Sequence, residues 1–140
     1  MEIRRNLEQY LMVFETNFFP IMGQQVTLTE ENGDAVGQRI DLLMQRAELG
    51  ECDLVAKKSN NKDKGFLYLG GGTFQTDEAA EASLTDEKLR KKAKNGKTVT
   101  YTCVSPGAGK RIALDRDEDG FLDGDEMAAG SDPADAASVP

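Results

Sequence analysis

The chain has 140 residues, of which 39 % are apolar and 30 % charged, and its formal net charge is −8. That acidity disfavours nucleic acid and anionic membrane surfaces as partners, and no apolar run reaches the length of a membrane-spanning helix. With no histidine in the chain, the commonest general base and the commonest zinc, copper and haem ligand are missing, no serine or cysteine nucleophile has a histidine partner, and no Cys-x-x-Cys-His is present to attach a haem.

Over residues 3–18, Leu7, Tyr10, Leu11, Phe14 and Phe18 recur at helical spacing, with Met12 and Val13 widening the stripe. Pro20 ends that predicted helix. Residues 21–29 read as extended, with a short strand from Val26, and Glu31 to Asp34 as a turn. A second helix is predicted from Asp34 to Leu49, with Val36, Ile40, Leu43, Met44 and Ala47 on one face and Gly50 as its terminator. Both apolar stripes are read as core packing.

Cys52 to Lys58 and Gly65 to Leu69 read as a strand pair joined by the polar turn 59–64. Gly70 to Gly72 breaks the second strand, and Thr73 to Thr76 is a further short one. Residues 77–84 are acidic and Ala-rich, a surface loop. Ser83 or Thr85 caps a short helix ending near Ala93, with acids at its start and lysines at its end. After the Asn95-Gly96 turn, residues 98–104 alternate with period two and form the clearest strand, with Val99, Tyr101 and Cys103 on one face. Ser105 to Arg111 is a turn; it does not make a phosphate-binding loop, because Val104 and Arg111 stand where glycine and a hydroxyl are required. Lys110 to Leu114, short and containing β-branched Ile112, reads as a last strand.

Residues 115–126 carry the sharpest chemistry. Asp115, Asp117, Asp119, Asp123 and Glu126 fall at positions 1, 3, 5, 9 and 12 of a twelve-residue loop, with Gly120 at position 6. Calcium takes six to eight oxygen ligands, and this is the spacing that lets one short loop supply them. Three alternating aspartates aim inward as the chain curls, while Arg116 and Glu118 point to solvent. Gly120 permits the sharp turn. Phe121 would offer its backbone carbonyl, Asp123 would bind directly or through a water, and Glu126 would close the shell with both oxygens. Without an ion these carboxylates repel one another, so the loop is expected to lose order in chelator.

These residues resemble an EF-hand-type calcium loop. Together with the continuation from Gly124 through Gly130, Ser131, Asp132, Pro133 and Asp135, they look like the thrombospondin type 3 and dockerin repeats of bacterial secreted proteins. The resemblance implies Ca2+ as the bound ion. The strand-like approach and the presence of one loop argue against a calmodulin-like sensor and against an authentic dockerin. A lone extracellular module of this kind binds calcium on the order of 10⁻⁴–10⁻³ M. Met127 to Ala129 is predicted as one helical turn capped by Gly130, and the tail from Ser131 is expected to fray, with Asp132 or Asp135 as an additional candidate ligand.

Cys52 and Cys103 each sit in a predicted strand and are expected to form one disulfide across a long loop, worth about 3–4 kcal/mol in the chain-entropy model. Disulfide and calcium loop together favour an extracellular or periplasmic location. Met1 leads straight into the amphipathic stripe, so the chain is expected to be a fragment of a longer exported precursor. The expected fold is α+β: two N-terminal helices plus a small antiparallel sheet, ending in a single calcium-binding loop. It is read as one domain, with a core over 1–114, the loop over 115–126, and a helical turn and tail over 127–140.

The acids outside the loop lie on charged helix faces or in turns, so no catalytic residue is assigned and no enzyme is expected. The expected function is a non-catalytic, calcium-binding C-terminal module of an exported bacterial protein, with the calcium ion and further domains of the parent chain as partners. Two alternatives stand beside it. One is a protein- or carbohydrate-binding module shaped by calcium, using the turn 59–64 and the loop 70–72. The other is the C-terminal part of an electron-transfer protein, because the Leu-x-x-Tyr-Leu spacing within residues 4–14 is similar to the last helix of c-type cytochrome domains.

Overall fold

In the computed structural model, residues 21–59 and 64–140 are described. The helix expected over 3–18 and the centre of the turn expected at 59–64 lie outside the described residues.

Alternating apolar residues are the basis of the architecture. In chain order the elements are β1 (Gln25–Leu28), α1 (Gly33–Glu48), β2 (Asp53–Ser59), β3 (Lys64–Gly70), β4 (Thr73–Thr76), β5 (Leu84–Thr85), α2 (Asp86–Arg90), β6 (Thr98–Val104), α3 (Gly109–Ala113) and α4 (Asp123–Ala129). The strands form one six-stranded sheet in the order β1-β6-β2-β3-β4-β5, and every neighbouring pair is antiparallel. β6 lies between β1 and β2, with Tyr101 opposite both Val26 and Ala56.

Successive residues of a strand face opposite sides of the sheet, so the sheet has two apolar faces. On one face Val26, Leu28, Leu54, Ala56, Phe66, Phe74, Val99, Tyr101 and Cys103 pack with Ile40 and Leu43 of α1 and with Leu89 of α2. On the other, Val55 forms a smaller cluster with Ala113 and Leu114, backed by Leu67, Val104, Ile112 and Leu122. Fully buried side chains on the first face include Tyr101, Phe66, Phe74, Ile40 and Leu54. At about 25 cal/mol per Å2 of apolar surface, this face carries most of the driving force for folding. Cys52 and Cys103 are both buried within it and joined by a disulfide.

Several local expectations hold. α1 begins at Gly33 and ends at Glu48, followed by Gly50 at φ 78°. Thr85 caps α2, its hydroxyl accepting from Lys88 N at 3.4 Å.

Two expectations are corrected. The fold is not a pair of N-terminal helices with a small sheet; it is mainly a six-stranded antiparallel sheet accompanied by a few short helices. The short strands expected from Val26 and over Thr73–Thr76 form as Gln25–Leu28 and Thr73–Thr76, and Leu84–Thr85 adds one that was not expected, so that all six strands make one sheet. Segments this short have little periodicity of their own and gain their structure from the ladder beside them. The second correction concerns Lys110 to Leu114, which belongs to the helix α3 and its C-terminal end. Among the described residues no strand pairs with it. Instead its apolar residues turn onto Val55 and Leu67, and tertiary packing overrides the weak β preference of Ile112.

Candidate metal centre

The site is built on the sheet face that α1 and α2 leave uncovered. Asp53, the first residue of β2, accepts hydrogen bonds through Oδ2 from Gly107 N at 2.8 Å and Gly109 N at 2.9 Å. Hydrogen bonds to a charged acceptor are worth roughly 1.5–3 kcal/mol each, and these two hold the start of α3 against the sheet. Gly109 must be glycine there: a Cβ would lie 2.7 Å from Leu67 Cδ1 and 2.8 Å from Asp53 Cβ. From α3 the chain passes through buried Leu114 into Asp115. Asp123 N then returns to Leu114 O at 2.7 Å, closing the base of the loop.

Within the loop, each of the three alternating aspartates uses one oxygen to hold the backbone. Asp115 Oδ2 accepts from Gly120 N at 3.1 Å, Asp117 Oδ1 from Asp119 N at 3.2 Å, and Asp119 Oδ1 from Phe121 N at 2.9 Å. The turn needs two residues in the left-handed region: Gly120 at φ 96°, as expected, and Glu118 at φ 59°. The other oxygen of each aspartate, Asp115 Oδ1, Asp117 Oδ2 and Asp119 Oδ2, is buried with no hydrogen-bond partner among the described residues. Carboxylate oxygens from these three residues lie within 4.8 Å of one another.

Glu126, on α4, lies outside that group of three, but near enough for the charges of the loop aspartates to act on it. It is 0 % exposed, and neither carboxylate oxygen has a hydrogen-bond partner among the described residues. Burial, followed by the charges of Asp119, Asp117, Asp123 and Asp115, pushes its carboxyl above the usual range. Asp117 is pushed up as well, by desolvation first and then by Asp119 and Asp115. A carboxylate removed from water without a compensating donor is costly, and five such oxygens lie on Asp115, Asp117, Asp119 and Glu126. A hard cation suits such oxygens. The three aspartates, brought together by the loop, fit calcium as ligands; Glu126, buried beside them, would add its carboxylate, and the ion would supply the charge that offsets their repulsion.

The two remaining candidate positions differ from these four. Asp123 Oδ1 accepts from Arg116 N at 2.9 Å, and its Oδ2 lies 3.6 Å from Arg116 Nε. Its side chain thus braces the loop opening. Phe121 turns a partly exposed ring outward while its N–H is held by Asp119; its assignment rests on its carbonyl and the loop spacing.

Beyond the loop, α4 runs over seven residues, longer than the single turn expected, and ends at Gly130 with φ 84°. Ser131 donates through both N and Oγ to Glu126 O, at 2.9 and 3.1 Å. The tail does not leave as a simple extension. Asp132 and Asp135 each accept a hydrogen bond from the N–H two residues ahead, at 2.9 and 3.0 Å, and so make two local turns. Asp53, Gly65, Asp77 and Gly109, which seat the loop on the sheet, escape sequence reasoning because they lie in other elements. The one cue is a small residue, Gly65, placed at the start of a strand.

With this geometry in place, the comparisons with known proteins are specific to the same segment. The family described as bacterial TSP3 repeat, a calcium-binding repeat, matches residues 115–136. The match begins at the first loop aspartate and extends through Ser131 and the first tail turn. No curated protein and no solved structure matches the chain.

Proposed function

We propose that this chain is a calcium-stabilised, non-catalytic module of an exported bacterial protein, in which the ion ties the C-terminal segment to the sheet. The observation that carries the reading is the set of five buried, unpartnered oxygens on Asp115, Asp117, Asp119 and Glu126. Phe121 through its carbonyl and Asp123, directly or through a water, complete the proposed shell. The match of residues 115–136 to a bacterial calcium-binding repeat supports it as well. The Cys52–Cys103 disulfide supports export, because such bonds persist in oxidising compartments. The absence of histidine supports a structural role over a catalytic one.

Calorimetric titration of the full chain and of Asp115→Ala with calcium tests the reading. The wild type is expected to bind one ion and the variant to bind it far more weakly. A wild type that takes up no calcium at millimolar concentration refutes it. Fractionation of cells making the parent protein tests export; recovery in the cytoplasm with both thiols reduced argues against it.

A further inference from the structure

Both ends of the calcium loop rest on one pair of residues, Gly65 in β3 and Asp77 just after β4. On the incoming side, the carbonyl of Ala113, the last residue of α3, rests on Gly65 of β3; a Cβ at position 65 would stand 1.8 Å from that oxygen. On the outgoing side, Gly124 N donates to Asp77 O at 2.9 Å. A Cβ at position 124 would meet Asp77 O at 2.6 Å, Glu78 Cγ at 2.7 Å and Asp77 Oδ1 at 2.9 Å. These two residues are themselves joined, since Gly65 N donates to Asp77 Oδ2 at 3.0 Å in a buried setting. The Asp123 N to Leu114 O hydrogen bond closes the ring at the base of the loop. A second stitch, from Ala79 N to Asp125 Oδ2 at 3.0 Å, runs parallel to the first.

The flanking helices have five and seven residues. Helices this short do not hold themselves in water. The separation between Asp115 at one end and Glu126 at the other is therefore imposed by what the flanks rest on. Gly124 lies between two of the proposed ligands, Asp123 and Glu126, so any displacement of α4 carries the Glu126 carboxylate with it.

We propose that Gly65, Asp77 and Gly124 are positioning residues of the calcium site. The open end of the β3–β4 strand pair sets the distance between the loop flanks, and with it the affinity for calcium. The sheet thus does for a lone loop what a second loop does in paired arrangements. This inference rests on the calcium reading above and adds residues that touch no ion. Outer residues that orient metal ligands typically change affinity by 10- to 100-fold.

The test is calorimetric titration of the full chain with calcium and, separately, with magnesium, on wild type, Gly124→Ala, Asp77→Ala, Asp77→Asn and Gly37→Ala. Gly37 lies in α1, where a Cβ makes an ordinary 3.5 Å contact with Arg90 Nη1, so its variant controls for a generic glycine replacement. Gly124→Ala and Asp77→Ala are expected to weaken calcium binding about 10- to 100-fold. Magnesium binding should fall less, because a displaced Glu126 loses the two-oxygen mode that calcium uses and magnesium does not. Asp77→Asn, which retains an oxygen to accept from Gly65 N, and Gly37→Ala are expected to match the wild type. Folding is checked by circular dichroism; if Gly124→Ala does not fold, the Asp77 pair decides alone. Wild-type calcium affinity in folded Gly124→Ala and Asp77→Ala overturns the inference, as does an equal loss for both ions. If the wild type itself fails to bind calcium, the underlying reading fails as well, which the titration of that protein alone reveals.

Discussion

Calcium should stabilise the fold by an amount that the geometry and mass action define. A ligand that binds only the folded state stabilises it by about 2.7 kcal/mol at 100 times its Kd. If the loop binds with a Kd of about 10⁻⁴ M, the tighter end of the range for extracellular modules, calcium at about 10 mM reaches that ratio. A chain of 140 residues unfolds with an entropy near 0.3 kcal/mol per kelvin, from about 2.1 cal/mol/K per residue. The melting temperature should therefore rise by about 9 °C between chelator and saturating calcium. Glu126→Gln sharpens the test because the structure predicts a change of sign. In chelator, the variant removes a buried carboxylate that has no partner, so it should melt above the wild type. In calcium, it lacks the charge and second oxygen needed to close the shell, so it should melt below. Calorimetric or circular dichroism melts in both buffers read the two differences directly. Equal melting temperatures for the wild type in chelator and calcium refute the reasoning. So does a Glu126→Gln variant that keeps the full calcium shift.

The rest of the fold yields four more expectations. Tyr101 is buried with a hydroxyl that has no partner, so Tyr101→Phe should be neutral or stabilise by about 1 kcal/mol in urea unfolding, whereas a loss of that size would show a missing polar partner. Burial holds the same phenol well above its ordinary range; the unfolded chain releases the proton near pH 10 while the folded chain retains it, so stability should fall as pH rises above about 10, and Tyr101→Phe should flatten that limb. The Cys52–Cys103 bridge spans 51 residues, which corresponds to about 4 kcal/mol in the chain-entropy model; Cys52→Ala/Cys103→Ala should lower the denaturation midpoint accordingly, and an unchanged midpoint would show that the bridge does not restrain the unfolded chain. Asp53→Ala removes the acceptor for Gly107 N and Gly109 N and should cost about 2 kcal/mol while weakening calcium binding through release of α3; wild-type stability in denaturant melts would contradict the anchoring role.

What was legible in the sequence had local causes. The calcium loop is written in residue types at fixed spacing, because its ligands and its turn glycine all lie within twelve consecutive residues. Gly120 takes the left-handed conformation that its position demanded. β6 was legible because its own alternation, Val99, Tyr101 and Cys103 inward, matches the pleat. α1 was legible because a sixteen-residue stretch carries an apolar stripe with its own terminator.

Contacts between distant segments decided the remainder. The two-residue strand at 84–85 exists because β4 lies beside it; the short strands near Val26 and at 73–76 were legible, but not which strands they would pair with in the one sheet. Lys110 to Ala113 became a helix because Asp53, more than fifty residues away in sequence, holds its start, and Val55 receives its apolar side. Glu118 at positive φ was hidden because a glutamate does not signal that conformation, and the aspartates around it impose it. The sequence by itself thus determined the ion that suits residues 115–126. Only the tertiary structure decided how that loop is held, because Gly65 and Asp77 meet Ala113 and Gly124 once the sheet has formed.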